Sequence, residues 1–139
     1  MNLELKNLKG KISMLPLEQQ KEMLKLLEEY ETAKEKDSAK TDFLPFVRMM
    51  WSGFIGGPHH EIMAESFEKV ARGELKRLII NMPPRHTKSE FASYLFPAWF
   101  LGQYPDKKVI QTAHTAELAV GFGRKVRNLI QSEDYQKVF

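Results

Sequence analysis

The sequence predicts an α/β chain: the βαβα start of a parallel sheet, preceded by N-terminal helices, in an incomplete domain. Three observations predict it. Two short apolar runs, residues 77–82 and 108–114, do not alternate with polar residues, the pattern of strands covered on both faces. Each run is followed by apolar residues at helical spacing. A proline-rich basic loop joins the first run to its helix. The order strand–loop–helix–strand–helix implies parallel strands and a right-handed crossover.

The elements follow in order. Pro16 sets φ for a first helical turn, and Leu17, Met23, Leu24, Leu27 and Tyr30 recur at helical spacing. Residues 33–40 are polar and read as a helix tail running into a linker, so residues 1–42 form an N-terminal helix and tether. A docking helix for a partner subunit is the alternative. Residues 43–55 are rich in large apolar groups, interrupted by Pro45 and closed by Gly56, Gly57 and Pro58. A helix is expected from about His60 to Arg72, with Met63, Phe67 and Val70 inward and Gly73 as its stop. Leu78–Met82 is the first strand and Val109–Ala113 the second. The helix from Lys88 to Leu101 should bend at Pro97. Thr115 can cap a long helix whose inner face is Ala119, Phe122, Val126 and Leu129.

Composition narrows the class. Of the 139 residues, 42% are hydrophobic and 28% charged, an ordinary globular balance. It excludes a wholly disordered, collagen-like or membrane-spanning chain. No apolar run approaches the roughly 18 residues of a spanning helix, and residues 1–6 lack the basic-then-apolar order of a secretory signal. Cysteine is absent, which excludes disulfides and thiolate metal sites and fits a reducing compartment. Residues 1–42 carry 8 Lys against 9 acids; residues 43–139 carry 13 basic residues against 9 acidic ones. The small surplus of +4 in the later part permits contact with nucleotide or nucleic acid without demanding it.

The chemistry concentrates in Met82–Ser89. A P-loop reads G-x-x-x-x-G-K-[ST] between a strand and a helix. Lys88 and Ser89 are in register, but Met82 and Thr87 stand at the glycine positions. A helix starting at Thr87 or Lys88 would point unpaired N–H groups and a positive dipole end at an anion. Lys88 would reach the β- and γ-phosphates of ATP, and the Ser89 hydroxyl would ligate Mg²⁺. Pro83 and Pro84 stiffen the loop. Arg85 adds a second cation, able to act as an arginine finger in cis. The alternative is a plain basic turn.

Residues 77–90, Arg-Leu-Ile-Ile-Asn-Met-Pro-Pro-Arg-His-Thr-Lys-Ser-Glu, resemble the ATPase motor of tailed-bacteriophage terminase large subunits. That family carries a variant Walker A loop of the form P-P-R-H-G-K-S-E after an apolar strand. Thr87 departs from its glycine. Similar stretches are His59–Ala64, Phe96–Gly102, Ala113–Ala119 and Phe122–Arg127, so the resemblance covers roughly residues 43–139. It implies a P-loop NTPase fold and an ATP- and Mg²⁺-dependent motor that packages viral double-stranded DNA into procapsids. Pro84, Arg85, His86, Thr87, Lys88 and Ser89 would then cradle the phosphates, with Lys88 and Arg85 catalytic. The implied partners are viral DNA, the portal protein, the small terminase subunit and further copies in a ring. The implied compartment is the cytoplasm of the infected bacterium, with no membrane.

Further residues carry weaker signals. His60 could hydrogen-bond the adenine, as a polar residue upstream of the first strand does in related motors, or simply cap its helix. Arg124 and Arg127 could touch DNA phosphates or form a solvated face. His114 and Thr115 end the second strand, where α/β sheets place ligand loops, and could couple nucleotide to DNA. Trp51 and Trp99 read as core.

The acids after Lys88 are Glu90, Asp106, Glu117, Glu133 and Asp134, and none follows an apolar strand. The Asp-Glu element of such an ATPase and the carboxylate cluster of a two-metal nuclease are therefore missing. The expectation is the N-terminal portion of a terminase-like protein, without turnover of its own, prone to aggregate or oligomerise because the sheet lacks strands. The alternatives are a helicase-like or repair P-loop ATPase fragment and a truncated nucleotide- or partner-binding module that hydrolyses nothing.

Overall fold

The computed structural model describes residues 16–139; the part of segment 1–42 before Pro16 lies outside them. The chain divides into two units, Met1–Glu35 and Lys36–Phe139. Helix α1 spans Leu17–Thr41, so residues 33–40 are helix and not the linker their polarity suggests. Ala, Lys and Glu favour helix whether or not an apolar stripe runs through them.

The second unit contains α2 (Phe43–Met50), α3 (Pro58–Ala71), α4 (Lys88–Glu90), a π-helical turn (Phe91–Leu95), α5 (Phe96–Gln103), α6 (Ala116–Ile130) and α7 (Glu133–Gln136). Residues 88–103 run without a break through α4, the π turn and α5. The π turn sits just before Pro97, which has no N–H to give Ser93 and whose ring crowds that carbonyl. The helix widens so that Phe96 N–H bonds the Phe91 carbonyl five residues back. The Ser93 carbonyl accepts the Gln111 side-chain Nε2–H at 2.6 Å. The widened turn thus lies just before Pro97, where a bend is expected from the sequence.

Phe43 organises the core. It is fully buried, and its ring centroid lies 5.5–5.8 Å from those of Phe67, Phe91, Phe96 and Trp99. Such aromatic pairs contribute about 0.5–1.5 kcal/mol each beyond area burial. Its backbone N–H donates to Glu68 Oε1 at 2.9 Å, so α3 caps the start of α2 where the Asp42 side chain does not. Met63, Ala64 and Phe67 of α3, Ala98 and Trp99 of α5, Val126 and Leu129 of α6 and Tyr135 of α7 complete the core. The polar atoms brought inside are satisfied. Trp99 Nε1–H donates to the Ala39 carbonyl at 3.2 Å and Tyr135 O–H to the Ala98 carbonyl at 2.9 Å. Burial pushes the Tyr135 hydroxyl up to about 12. Trp51 packs against the core at its edge. Gly73, at φ +77°, ends α3 in the left-handed conformation that favours glycine.

The predicted parallel sheet is not formed: among the described residues there is no strand. Residues 77–82 and 108–114 run as irregular segments. Leu78, Ile80 and Met82 lean on the core while Ile79 is 85% exposed and Ile110 90% exposed. The first segment is therefore buried on one side, not two. Two short strands alone form at best a marginal sheet in water, and here the helices bury their apolar faces on one another.

Candidate functional site

Residues 83–89 turn from the first irregular segment into α4. Arg85 has φ +66° and Thr87 φ +61°, the non-glycine residues with positive φ among those described. The left-handed region costs an L-residue about 1–2 kcal/mol, and a β-branched residue adopts it rarely. Thr87 stands where the sequence pattern places glycine, and the backbone there takes the conformation glycine would take.

A chain of hydrogen bonds reaches Thr87 from α3. His60, at the third position of α3, accepts the Gly57 N–H on Nδ1 at 2.9 Å, as the side chain of a capping box does. In the neutral ring Nε2 then carries the hydrogen. It lies 2.7 Å from Thr87 Oγ1 and donates to it. The Thr87 hydroxyl in turn donates to the His86 carbonyl at 2.6 Å. His60 is 4% exposed, with the Phe54 and Phe91 rings 4.8 and 4.9 Å away. Burial, and then the neighbouring His59, hold its pKa below the ordinary histidine value. His86 adds a local brace, its Nδ1–H donating to the Pro84 carbonyl at 2.9 Å.

Thr87 is also the N-cap of α4. Its carbonyl accepts the Phe91 N–H at 3.0 Å, but its side chain caps no helical N–H. The N–H groups of Lys88, Ser89 and Glu90 are left without partners among the described residues. Lys88 Nζ donates to the Pro83 carbonyl at 3.2 Å, across the loop. Neither Lys88 nor Arg85 has a carboxylate partner among the described residues, and the exposed Ser89 hydroxyl has no hydrogen bond there. Glu90, the acid of this first turn, pairs with Lys125 Nζ at 2.9 Å, which offsets its charge beside the loop. Lys125 also lies 5.7 Å from the Tyr94 ring centroid and 5.6 Å from that of Phe122.

Pro84, Arg85, His86, Thr87, Lys88, Ser89 and His60 thus come together. Both ring nitrogens of His60 are engaged within the chain, so an adenine would have to displace one of those bonds. His114 and Thr115, with Glu117, Leu118, Phe122 and Lys125, line an open groove of about 460 Å³. Thr115 caps α6, accepting the Leu118 N–H at 3.2 Å. Arg124 and Arg127 are exposed on α6, with Arg127 bonded to Asn128 Oδ1 at 3.1 Å. Sequence reasoning missed the Glu90–Lys125 pair and the His60–Thr87 bond. The second had a signal: a β-branched residue where glycine is expected calls for a partner to hold it. Among the described residues no group of three or more His, Asp or Glu gathers into a metal site. No helix among them is long and apolar enough to cross a membrane.

Comparison with known proteins returns no match: no protein-family model, no curated protein and no solved structure aligns with this chain.

Proposed function

We propose that residues 83–89 bind the phosphates of Mg²⁺-ATP, and that the chain is the ATP-binding part of a DNA-packaging motor of the terminase large-subunit kind. The observation that carries the reading is the loop itself. Two left-handed residues lead into a helix start with three unpartnered N–H groups, flanked by two cations that lack carboxylate partners. Backbone N–H groups at such turns and helix starts favour anions. Lys88 needs only to leave the Pro83 carbonyl to reach a phosphate. Ser89 supplies a hydroxyl for Mg²⁺, and Arg85 a second charge. The motor assignment rests on the sequence resemblance. In it Arg124 and Arg127 meet DNA phosphates, His114 and Thr115 couple nucleotide to DNA, and portal protein, small subunit and further copies are the partners.

Binding without turnover is the second reading for this chain. It is favoured by Glu90, the carboxylate nearest the loop in sequence, which is occupied by Lys125.

Titration with a fluorescent N-methylanthraniloyl ATP, with and without Mg²⁺, tests the phosphate reading. Saturable binding that inorganic tripolyphosphate displaces is expected. Absence of saturable binding, or displacement by adenosine but not by tripolyphosphate, overturns it.

A further inference from the structure

We propose that His60 is a positioning residue for the loop: its bond to Thr87 holds this chain's threonine in the turn conformation that a glycine would adopt unaided. The loop's role in phosphate binding rests on the reading above; the bond and its effect on the turn do not. Thr87 sits at φ +61°, a conformation that persists only when surrounding structure over-determines it. The surroundings here are specific. The Gly57 N–H fixes His60 Nδ1 as acceptor, so Nε2–H points its one hydrogen at Thr87 Oγ1, 2.7 Å away. The Thr87 hydroxyl is thereby committed to donate to the His86 carbonyl at 2.6 Å. With its hydroxyl aimed at His60 and the His86 carbonyl, Thr87 makes no side-chain bond to its own helix, the role threonine ordinarily takes at an N-cap. The ring is buried, with the Phe54 and Phe91 rings within 4.9 Å, so the donor is held rigidly. Residues 27 apart in sequence thus fix one backbone angle and leave the first N–H groups of α4 without partners among the described residues.

The test is a cycle in the full chain: wild type, His60→Leu, Thr87→Gly and the double variant, with His60→Gln as the conservative control. The probe is fluorescent ATP with Mg²⁺. His60→Leu should weaken binding about tenfold when Thr87 is present, equivalent to about 1.4 kcal/mol. In the Thr87→Gly background the same change should have under about a twofold effect, because glycine needs no support. His60→Gln, which keeps a donor toward Thr87, should stay near wild type. Equal losses from His60→Leu in both backgrounds, or none in either, overturn the proposal. Nitrogen-15 spectra give a readout that needs no nucleotide: His60 should be protonated on Nε2 alone, and the opposite tautomer overturns it. If no protein of the set binds the probe, the phosphate reading falls by itself. The same cycle in thermal unfolding then decides the His60–Thr87 bond, a larger drop in Tm with Thr87 than with glycine supporting it and equal drops overturning it.

Discussion

Two threonines start two helices in this chain and do opposite things. Thr115 takes extended backbone, φ −128° and ψ 151°, and its hydroxyl accepts the Leu118 N–H. Thr87 takes left-handed backbone, φ +61° and ψ 0°, and its hydroxyl bonds His60 and His86 instead. The first satisfies one of its helix's orphan N–H groups from within. The second leaves them to something else. An N-cap residue type therefore does not say whether a helix end is closed or open to a ligand. The backbone angle and the destination of the hydroxyl do.

The largest expected effect breaks the comparison at the open end. Lys88→Ala should weaken ATP binding about 100-fold, since charge-assisted hydrogen bonds contribute about 1.5–3 kcal/mol. Lys137→Ala, in the exposed pair with Asp134, serves as the control and should leave it within about twofold. Equilibrium titration checks both.

Next is a pH effect confined to the His60 side of the comparison. Because the folded pKa of His60 is lowered, the unfolded chain binds the proton more readily. This stability is fully present above the ordinary histidine value near about 6.5. It is lost as pH falls below that value toward the folded pKa, by at most about 1.4 kcal/mol per pH unit. Protonation also turns Nδ1 from an acceptor into a donor facing the Gly57 N–H. Denaturant unfolding between pH 7.5 and 5.5 should show the loss in wild type and less of it in His60→Gln.

Smaller effects sharpen the contrast. Thr115→Ala removes a working cap and should cost about 1 kcal/mol of stability, with ATP binding unchanged. Thr87→Gly removes no cap. It should leave stability unchanged or raise it by up to about 1 kcal/mol, as release of left-handed strain offsets loss of the His60 bond and added unfolded-state entropy. Parallel melts of the two variants check the pair.

Much of this was legible in residues with local meaning. Thr115 as a cap, Gly73 as a stop, Met63 and Phe67 as an inward stripe and Trp99 as core follow from spacing and residue type. So does the gathering of Pro84 to Ser89 in one loop. The strands were not legible as absent, because an apolar run such as Leu78–Met82 reports burial and says nothing of whether a ladder partner exists. The helix through residues 33–40 is hidden in the sequence because it carries no apolar stripe and rests on intrinsic propensity. The Gln111 bond to the freed Ser93 carbonyl and the His60–Thr87 bond each needed two distant segments brought together. Both are tertiary facts with only a local trace in the sequence.

Backbone amide spectra during titration with Mg²⁺-ATP test the central contrast most directly. The amide signals of Lys88, Ser89 and Glu90 should move strongly and saturably, and by much more than those of Glu117 and Leu118 at the capped start of α6. Movement of equal size at both helix starts, or none at residues 88–90, would contradict the assignment of α4 as the open one.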